Sequence, residues 1–312
     1  MSKEMQTRPL VTVIINCLNA DRYMREAIES VYQQTYTHWE IVLWDNASTD
    51  STREIAESFD DKLSVFSGSE TIPLYAARNK ALEKARGQLI AFLDSDDVWQ
   101  PHKLEKQVSL FEEDDALSLV YTNYLKDNLQ TKRIKKSFKR IQPENNVFEA
   151  FTKKYPICIS TTMIRKDAAC EQGCFFDSRF NLCGDYDAFM RVLYQGKARY
   201  IHEPLVVYKI HEAMCSQRHQ NDFAGEMEMV RDNMKVLDSH FALTHPKAYE
   251  YLCALPEYMR SLSFMREGAM QKARTRMAPY KTLSSKYLLT YLGTFVSPRF
   301  WAYCRKVKGE LL

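Results

Sequence analysis

Three carboxylates stand within four positions at Asp94-Ser95-Asp96-Asp97, directly after the apolar run Ile90 to Leu93. Crowding anions in this way costs free energy unless a cation or hydrogen bonds offset the charge. Hard oxygen ligands suit Mg²⁺ or Mn²⁺, and such ions often hold substrate phosphates as well. The segment therefore predicts a metal–nucleotide site. Capping a helix needs one carboxylate rather than three, so Asp97 alone is expected to be a structural cap for the next element. Asp45 ends a second apolar run, Glu40 to Trp44, and Asp185 lies in Gly184-Asp185-Tyr186-Asp187. On a helix, residues two apart do not face the same way. Asp185 at the helix start is expected to face the pocket, and Asp187 to cap or pair elsewhere.

These acids need elements that bring them together. Leu10 to Ile15, Glu40 to Trp44, Lys62 to Phe66 and Gln88 to Leu93 read as buried strands. Between them, Arg22 to Gln34, Ser51 to Ser58 and Ala76 to Lys84 read as helices, with Asn19-Ala20-Asp21 as a turn and cap and Gly87 as a C-terminal stop. Strands alternating with helices predict a βαβ parallel sheet, whose strand C-termini share one edge where ligands bind. Beyond Pro101 a helix to Glu112 is expected, then a strand from Ser118 to Tyr124 and a polar, basic loop or hairpin from Lys126 to Asn146, with an acceptor lid as its functional rival. Further strands are expected at Ile157 to Ile164, Ala198 to His202 and Leu205 to Tyr208, and helices at Lys166 to Gln172 and Asp185 to Gln195. From Asn221 the chain reads as helical, broken near His245-Pro246, Pro256 and Ser297-Pro298.

The totals exclude several classes. With 312 residues the chain buries a large core, and 45% hydrophobic with 27% charged residues is ordinary globular composition. A net charge of +3 gives no case for nucleic acid. No segment has 18 uninterrupted apolar residues and the first nine residues lack a signal-peptide core, so a cytoplasmic protein with reduced, mostly buried thiols is expected. Cys170, Cys174 and Cys183 lack a paired CxxC and do not read as a zinc site. No GxGxxG follows Ile15 and there is no Walker motif, which argues against dinucleotide redox chemistry and P-loop phosphoryl transfer.

The segments VTVIINCLNADRYMREAIESVYQQTYTHWEIVLWDNASTDST, AARNKALEKARGQLIAFLDSDDVWQPHKLEKQV and FFDSRFNLCGDYDAFMRVLYQG resemble those of family 2 glycosyltransferases, inverting enzymes with the GT-A fold. The resemblance runs roughly from Pro9 to Ser216 and rests on three motifs in the family's order. It implies an α/β, Rossmann-like GT-A fold with a mostly parallel central sheet flanked by helices and a helical C-terminal extension. Residues 1–218 would form the catalytic domain, about 9–110 serving the nucleotide sugar and about 111–218 the acceptor, with 219–312 the helical region. It also implies roles. Asp45 would hydrogen-bond the base, Asp94 would face the ribose, and Asp96 would bind a Mn²⁺ or Mg²⁺ ion bridging the phosphates. Asn19, Arg78, Asn79 and Ser95 would line the nucleotide-sugar site. Asp185 would be the catalytic base, and His211 would sit near the metal and diphosphate as a second metal-side residue. Leu18 stands where the family often has an aromatic against the base, and Gly184 where an acid often precedes the catalytic aspartate.

The implied activity is transfer of a sugar from a nucleoside diphosphate sugar, a UDP-sugar as the expected donor, to a glycan or lipid-linked acceptor hydroxyl in polysaccharide or glycolipid assembly. The rival is a non-catalytic nucleotide-sugar or glycan-binding protein on the same fold. A nucleotidyltransferase would want a Gly-rich basic loop after the first strand, and Asn16 to Asp21 has neither Gly nor Lys/Arg. The tail is distinctive: from Met270 to Leu312 nine Lys/Arg face one acid, Glu310. With the aromatic run Tyr287 to Trp301, this allows a packed helical subdomain, a peripheral membrane contact through 283–312 at the inner face of the membrane, or an oligomer interface.

Overall fold

In a computed structural model the residues described are 8–170, 174–212 and 223–298, without the side chains of 169 and 170. The chain divides into two compact units, Met1–Met214 and Cys215–Leu312.

The first unit is one mixed sheet flanked by helices. β1 (Val11–Cys17), β2 (Trp39–Asp45), β3 (Leu63–Ser67) and β4 (Leu89–Asp94) alternate with α1 (Met24–Tyr32), α2 (Thr52–Glu57) and α3 (Leu74–Leu82). Then come β5 (Val98–Trp99), α4 (Lys103–Glu113), β6 (Leu117–Asn128), β7 (Arg133–Lys136) and α5 (Phe148–Lys153). A 3₁₀ turn (Ile159–Thr161) leads into β8 (Met163–Arg165), α6 (Lys166–Cys170), α7 (Gly184–Gln195) and β9 (Lys197–Ile210). The strand order is β3-β2-β1-β4-β8-β6-β9-β5, with β7 paired to β6. β1 runs parallel to β2 and β4, β2 to β3 and β6 to β9, whereas β8 is antiparallel to both β4 and β6.

β-branched and apolar runs make the four N-terminal strands, and alternation decides what covers each face. Val13, Ile15, Ile41, Leu43, Ala91 and Leu93 share a core with Met24, Ile28 and Val31 of α1 and Leu104 and Val108 of α4. Phe92 points the other way, onto Phe175, Phe176 and Phe189.

Several sequence expectations are corrected. Of the strand expected from Ile157 to Ile164 only Met163 and Ile164 are strand, in β8, and a 3₁₀ turn precedes them. The Thr161 and Thr162 hydroxyls donate to the Cys158 and Ile159 carbonyls at 2.6 Å each, local bonds that favour a turn over a sheet ladder. The two strands expected near 198–208 are one, β9, with register irregularities against β6. Within the stretch from Lys126 to Asn146, β7 forms a hairpin with β6. Gly87 does not stop α3, which ends at Leu82. Instead it lets strands approach, because a Cβ there would lie 2.6 Å from the Leu10 carbonyl oxygen and the Thr12 nitrogen. The turn at Asn19-Ala20-Asp21 supplies no side-chain cap to α1, which starts later, at Met24.

The second unit contains α8 (Phe223–Leu237), α9 (Phe241–Thr244), α10 (Pro246–Arg266), α11 (Met270–Met277) and α12 (Ser285–Gly293). Ala254, Tyr258, Met277 and Tyr287 centre its core. Pro246 opens α10, where its missing N–H is harmless. Pro256 does not break the helix as expected but sits buried inside it. Arg260 four residues on holds both Glu228 carboxylate oxygens of α8, at 2.6 and 2.7 Å. No described helix is long and apolar enough to cross a membrane.

Candidate active site

Parallel pairing puts the acids on one edge. Cys17 pairs with Asp45 and Asn16 with Asp94, so both carboxylates leave the sheet at the C-terminal ends of adjoining strands. The amide of Asn16, between Trp44 and Asp94 in register, is buried without a hydrogen-bond partner among the described residues.

The rim near Asp45 is stapled by short polar side chains. Asp45 is 3% exposed and its Oδ1 accepts the Ser48 N–H at 3.0 Å. Asn19, in the left-handed region at φ 51°, accepts the Thr49 N–H at 2.9 Å and donates its own N–H to Ser48 Oγ at 2.9 Å. Asp50 accepts the N–H groups of Thr52 and Asp21, at 3.0 and 3.2 Å. The β1–α1 and β2–α2 loops are thus fastened to each other beside the sheet edge. Leu18, 45% exposed, stands on that rim.

The Asp94–Asp97 segment is a tight turn, closed by the Asp97 N–H donating to the Asp94 carbonyl at 3.1 Å, with Ser95 and Asp96 at its apex. Its three carboxylates have three kinds of partner. Asp94 pairs with the buried Arg78 guanidinium at 2.5 Å. Burial works against the Arg78 charge, but Asp94, Tyr75 and Asp185 outweigh it and hold its pKa above the ordinary value. Asp96 lies 2.9 Å from His211 Nε2. Burial and then the Asp94 charge push the Asp96 carboxyl upward, while His211 opposes them. Asp97 is fully buried and does not cap a following helix. It accepts the Ser160 hydroxyl at 2.6 Å and the Lys209 N–H at 3.2 Å, tying the turn to the 3₁₀ segment and β9.

At the start of α7 the two acids separate. Asp185 is partly buried and accepts the Tyr75 hydroxyl at 2.9 Å. Burial raises its pKa; Arg78, the Tyr75 hydroxyl and the Tyr186 amide act against this, and Asp94 adds to it. Asp187 is fully buried and pairs with Arg191 one turn on, at 2.9 Å. Asn79 is turned to the protein: its amide donates to and accepts from the Phe176 backbone at 2.6 and 3.0 Å, so it fastens the 175–176 segment rather than presenting itself to a ligand.

Arg78 therefore links Asp94 of the strand edge to the surroundings of Asp185. Among the described residues no three His, Cys, Asp or Glu side chains converge as a ready-made metal cage. A carboxylate beside an imidazole, Asp96 with His211, does fit a divalent cation that takes its remaining oxygens from phosphates and water. Cys174 is an exposed free thiol, and the side chain of Cys170 lies outside the described residues.

Sequence reasoning missed two residues. Ser160 accepts the Asp94 N–H at 3.1 Å while donating to Asp97, so one hydroxyl braces both ends of the acidic turn. Tyr75 holds Asp185 from 110 residues away in sequence. Its sequence signal was slight, an aromatic one turn before Arg78 on the same helix face.

A family model described as Glycosyl transferase family 2 matches residues 12–173. TuaG of Bacillus subtilis (strain 168) is 43% identical over 109 residues, 34% of this chain and 43% of TuaG. The UDP-Glc:alpha-D-GlcNAc-diphosphoundecaprenol beta-1,3-glucosyltransferase WfgD of Escherichia coli is 39% identical over 116 residues, 37% of this chain and 46% of WfgD. The chain thus spans less than half the length of either relative. The solved structure of S. aureus TarS 1–349 in complex with UDP-GlcNAc has the same fold, with a TM-score of 0.65 and 17% identity, covering 91% of this chain and 90% of that one.

Proposed function

The chain belongs to glycosyl transferase family 2, and from that premise we propose that it moves a sugar from a nucleoside diphosphate sugar to an acceptor hydroxyl with inversion. The donor proposed is a UDP-sugar, as in the UDP-GlcNAc complex of TarS and the UDP-Glc in the name of WfgD. The observation that carries the reading is Arg78, buried between an acid on the strand edge and an acid at a helix start. Asp94 and Asp96 belong to the donor side, and Asp185 to the acceptor side.

The chemistry divides accordingly. Asp96 and His211 would hold a Mn²⁺ or Mg²⁺ ion, which when bound supplies positive charge to the departing diphosphate. Asp45 would take the base and Asp94 the ribose, with Arg78 holding the Asp94 carboxylate in place. Asp185 would accept the proton of the attacking hydroxyl, and its upward-shifted pKa brings it nearer to working pH. With Asp187 committed to Arg191, one acid of the motif is left for the reaction, which suits a single displacement.

Thermal unfolding with Mn²⁺ and UDP, followed by a sugar-nucleotide panel, tests this. The pair of ligands should raise the melting temperature. Asp96→Asn should abolish the rise, and Asp185→Asn should keep it. A full rise in Asp96→Asn would remove Asp96 from the metal site.

We further propose that the acceptor is lipid-linked, as the diphosphoundecaprenol in the name of WfgD suggests, and that α12 touches the membrane surface. Tyr287 of α12 is buried, whereas Leu288, Leu289 and Leu292 on its other face, and Phe295 just beyond the helix, are 42–63% exposed. The excess of Lys/Arg from Met270 onward favours anionic headgroups. Leu289→Ser with Leu292→Ser should weaken sedimentation with anionic liposomes and leave UDP binding unchanged. Unaltered sedimentation would end this part of the proposal.

A further inference from the structure

We propose that Tyr75 is the positioning residue of the Asp185 carboxylate, and that a glycine stands at 184 so that the Tyr75 ring can reach it. The proposal deepens the reading of Asp185 as the base and rests on it. Tyr75 is 2% exposed and held on two sides: the Arg78 guanidinium lies 4.9 Å from its ring centroid, and the Phe176 ring lies 5.2 Å away. Its hydroxyl donates to Asp185 Oδ1 at 2.9 Å, with the Leu182 carbonyl oxygen a longer 3.4 Å away. A Cβ on residue 184 would fall 2.5 Å from Tyr75 Cγ and 2.6 and 2.8 Å from its two Cδ atoms. Real side chains do not approach so closely, and a ring clamped by Arg78 and Phe176 has little freedom to retreat. Any larger residue at 184 therefore displaces the ring, and the hydroxyl goes with it. The glycine that departs from the acid often found before the aspartate is thus part of how the aspartate is held.

The consequence is chemical as well as steric. A hydroxyl donating to a carboxylate favours its ionised form. Tyr75 takes Oδ1 of the carboxylate and so fixes which way the group is turned. Burial drives the tyrosine's own pKa well above its usual value, so it stays a donor at working pH. The other groups facing Asp185 are Arg78 of α3, Asp94 of β4, Tyr155 and Cys158 before the 3₁₀ segment, and Tyr186 of its own helix. Tyr75→Phe leaves all of these in place and removes the Tyr75 hydroxyl alone.

The test is a ¹³C NMR titration of aspartate-labelled protein, with the Asp185 carboxyl signal identified by its loss in Asp185→Asn. Tyr75→Phe should raise the Asp185 midpoint by about one pH unit, the size of one hydrogen bond to a charged group. Gly184→Ala, which keeps the hydroxyl but pushes the ring, should shift it in the same direction. Phe176→Leu loosens the packing while keeping the hydrogen bond and should leave the midpoint in place. An unmoved midpoint in Tyr75→Phe overturns the positioning role, and an unmoved one in Gly184→Ala overturns the part given to the glycine. The base assignment is judged separately: product formation surviving in Asp185→Asn ends that reading while leaving the titration result intact.

Discussion

The acidic turn after β4 and the acidic start of α7 solve one problem in two ways. Each crowds carboxylates within four positions, and each keeps one for the fold. At the turn the buried acid is Asp97, satisfied by neutral donors, a serine hydroxyl and a backbone N–H. The acids left at the edge, Asp94 and Asp96, each face a basic side chain. At the helix the arrangement is reversed. The fully buried acid, Asp187, has the arginine, and the partly exposed one, Asp185, has the neutral tyrosine. A carboxylate paired with a basic side chain is fixed in place, which suits binding. A carboxylate with a neutral donor and a raised pKa suits taking up a proton.

The sharpest way to break this comparison is Asp185→Asn. If the acid is the base, product formation should fall by about 10²- to 10⁴-fold, the usual contribution of general base catalysis. Stability should move the other way at neutral pH. A carboxyl whose folded pKa lies above its unfolded value contributes stability below the unfolded pKa, about 3.9. That contribution is lost as pH rises through the folded value. Asp185→Asn should therefore melt higher than the parent near pH 7 and lose that advantage as the pH falls towards about 3, below the unfolded pKa. A parent that melts higher at neutral pH would mean Asp185 is a structural acid.

Asp187→Ala should show the opposite pattern. Removing one partner of a buried pair leaves Arg191, itself 12% exposed, without its carboxylate, at a cost of about 3 kcal/mol. Denaturant unfolding should register the loss. Among molecules still folded at low temperature, turnover should change little, because Asp187 faces away from the reaction. If Asp187→Ala abolished turnover in folded protein, the division between the two acids would be wrong.

Much of this was legible in the sequence because it is local. Hydrophobic runs of strand length, ended by polar residues, put Asp45 and Asp94 on one edge, and a spacing of two separated Asp185 from Asp187. What stayed hidden depends on pairing across long separations. Nothing near Asp185 announces Tyr75, and Gly184 looked like a departure from a pattern until the ring against it was seen. Most of the segment from Ile157 to Ile164 departs from the expected strand for a related reason. Its apolar residues suggested a strand, while its hydroxyls, the feature that matters, bend the chain so that Ser160 arrives under the acidic turn.

Ser160→Ala gives the smallest and most discriminating test of that turn. The hydroxyl receives the Asp94 N–H and donates to Asp97 Oδ2, both away from solvent. Alanine leaves one backbone donor and one carboxylate oxygen short of a partner, a loss of about 1–2 kcal/mol. The Asp97 carboxylate still accepts the Lys209 N–H, so the turn should loosen rather than unfold. Asp96 lies in the turn between these two bonds, and its spacing from Asp94 is what a nucleotide diphosphate would sense. UDP with Mn²⁺ should therefore bind several-fold more weakly in calorimetry, with the acid limb of turnover in place because Asp185 is untouched. If Ser160→Ala moved the pH profile and spared UDP binding, the two acidic regions would not be the independent sites that their partners indicate.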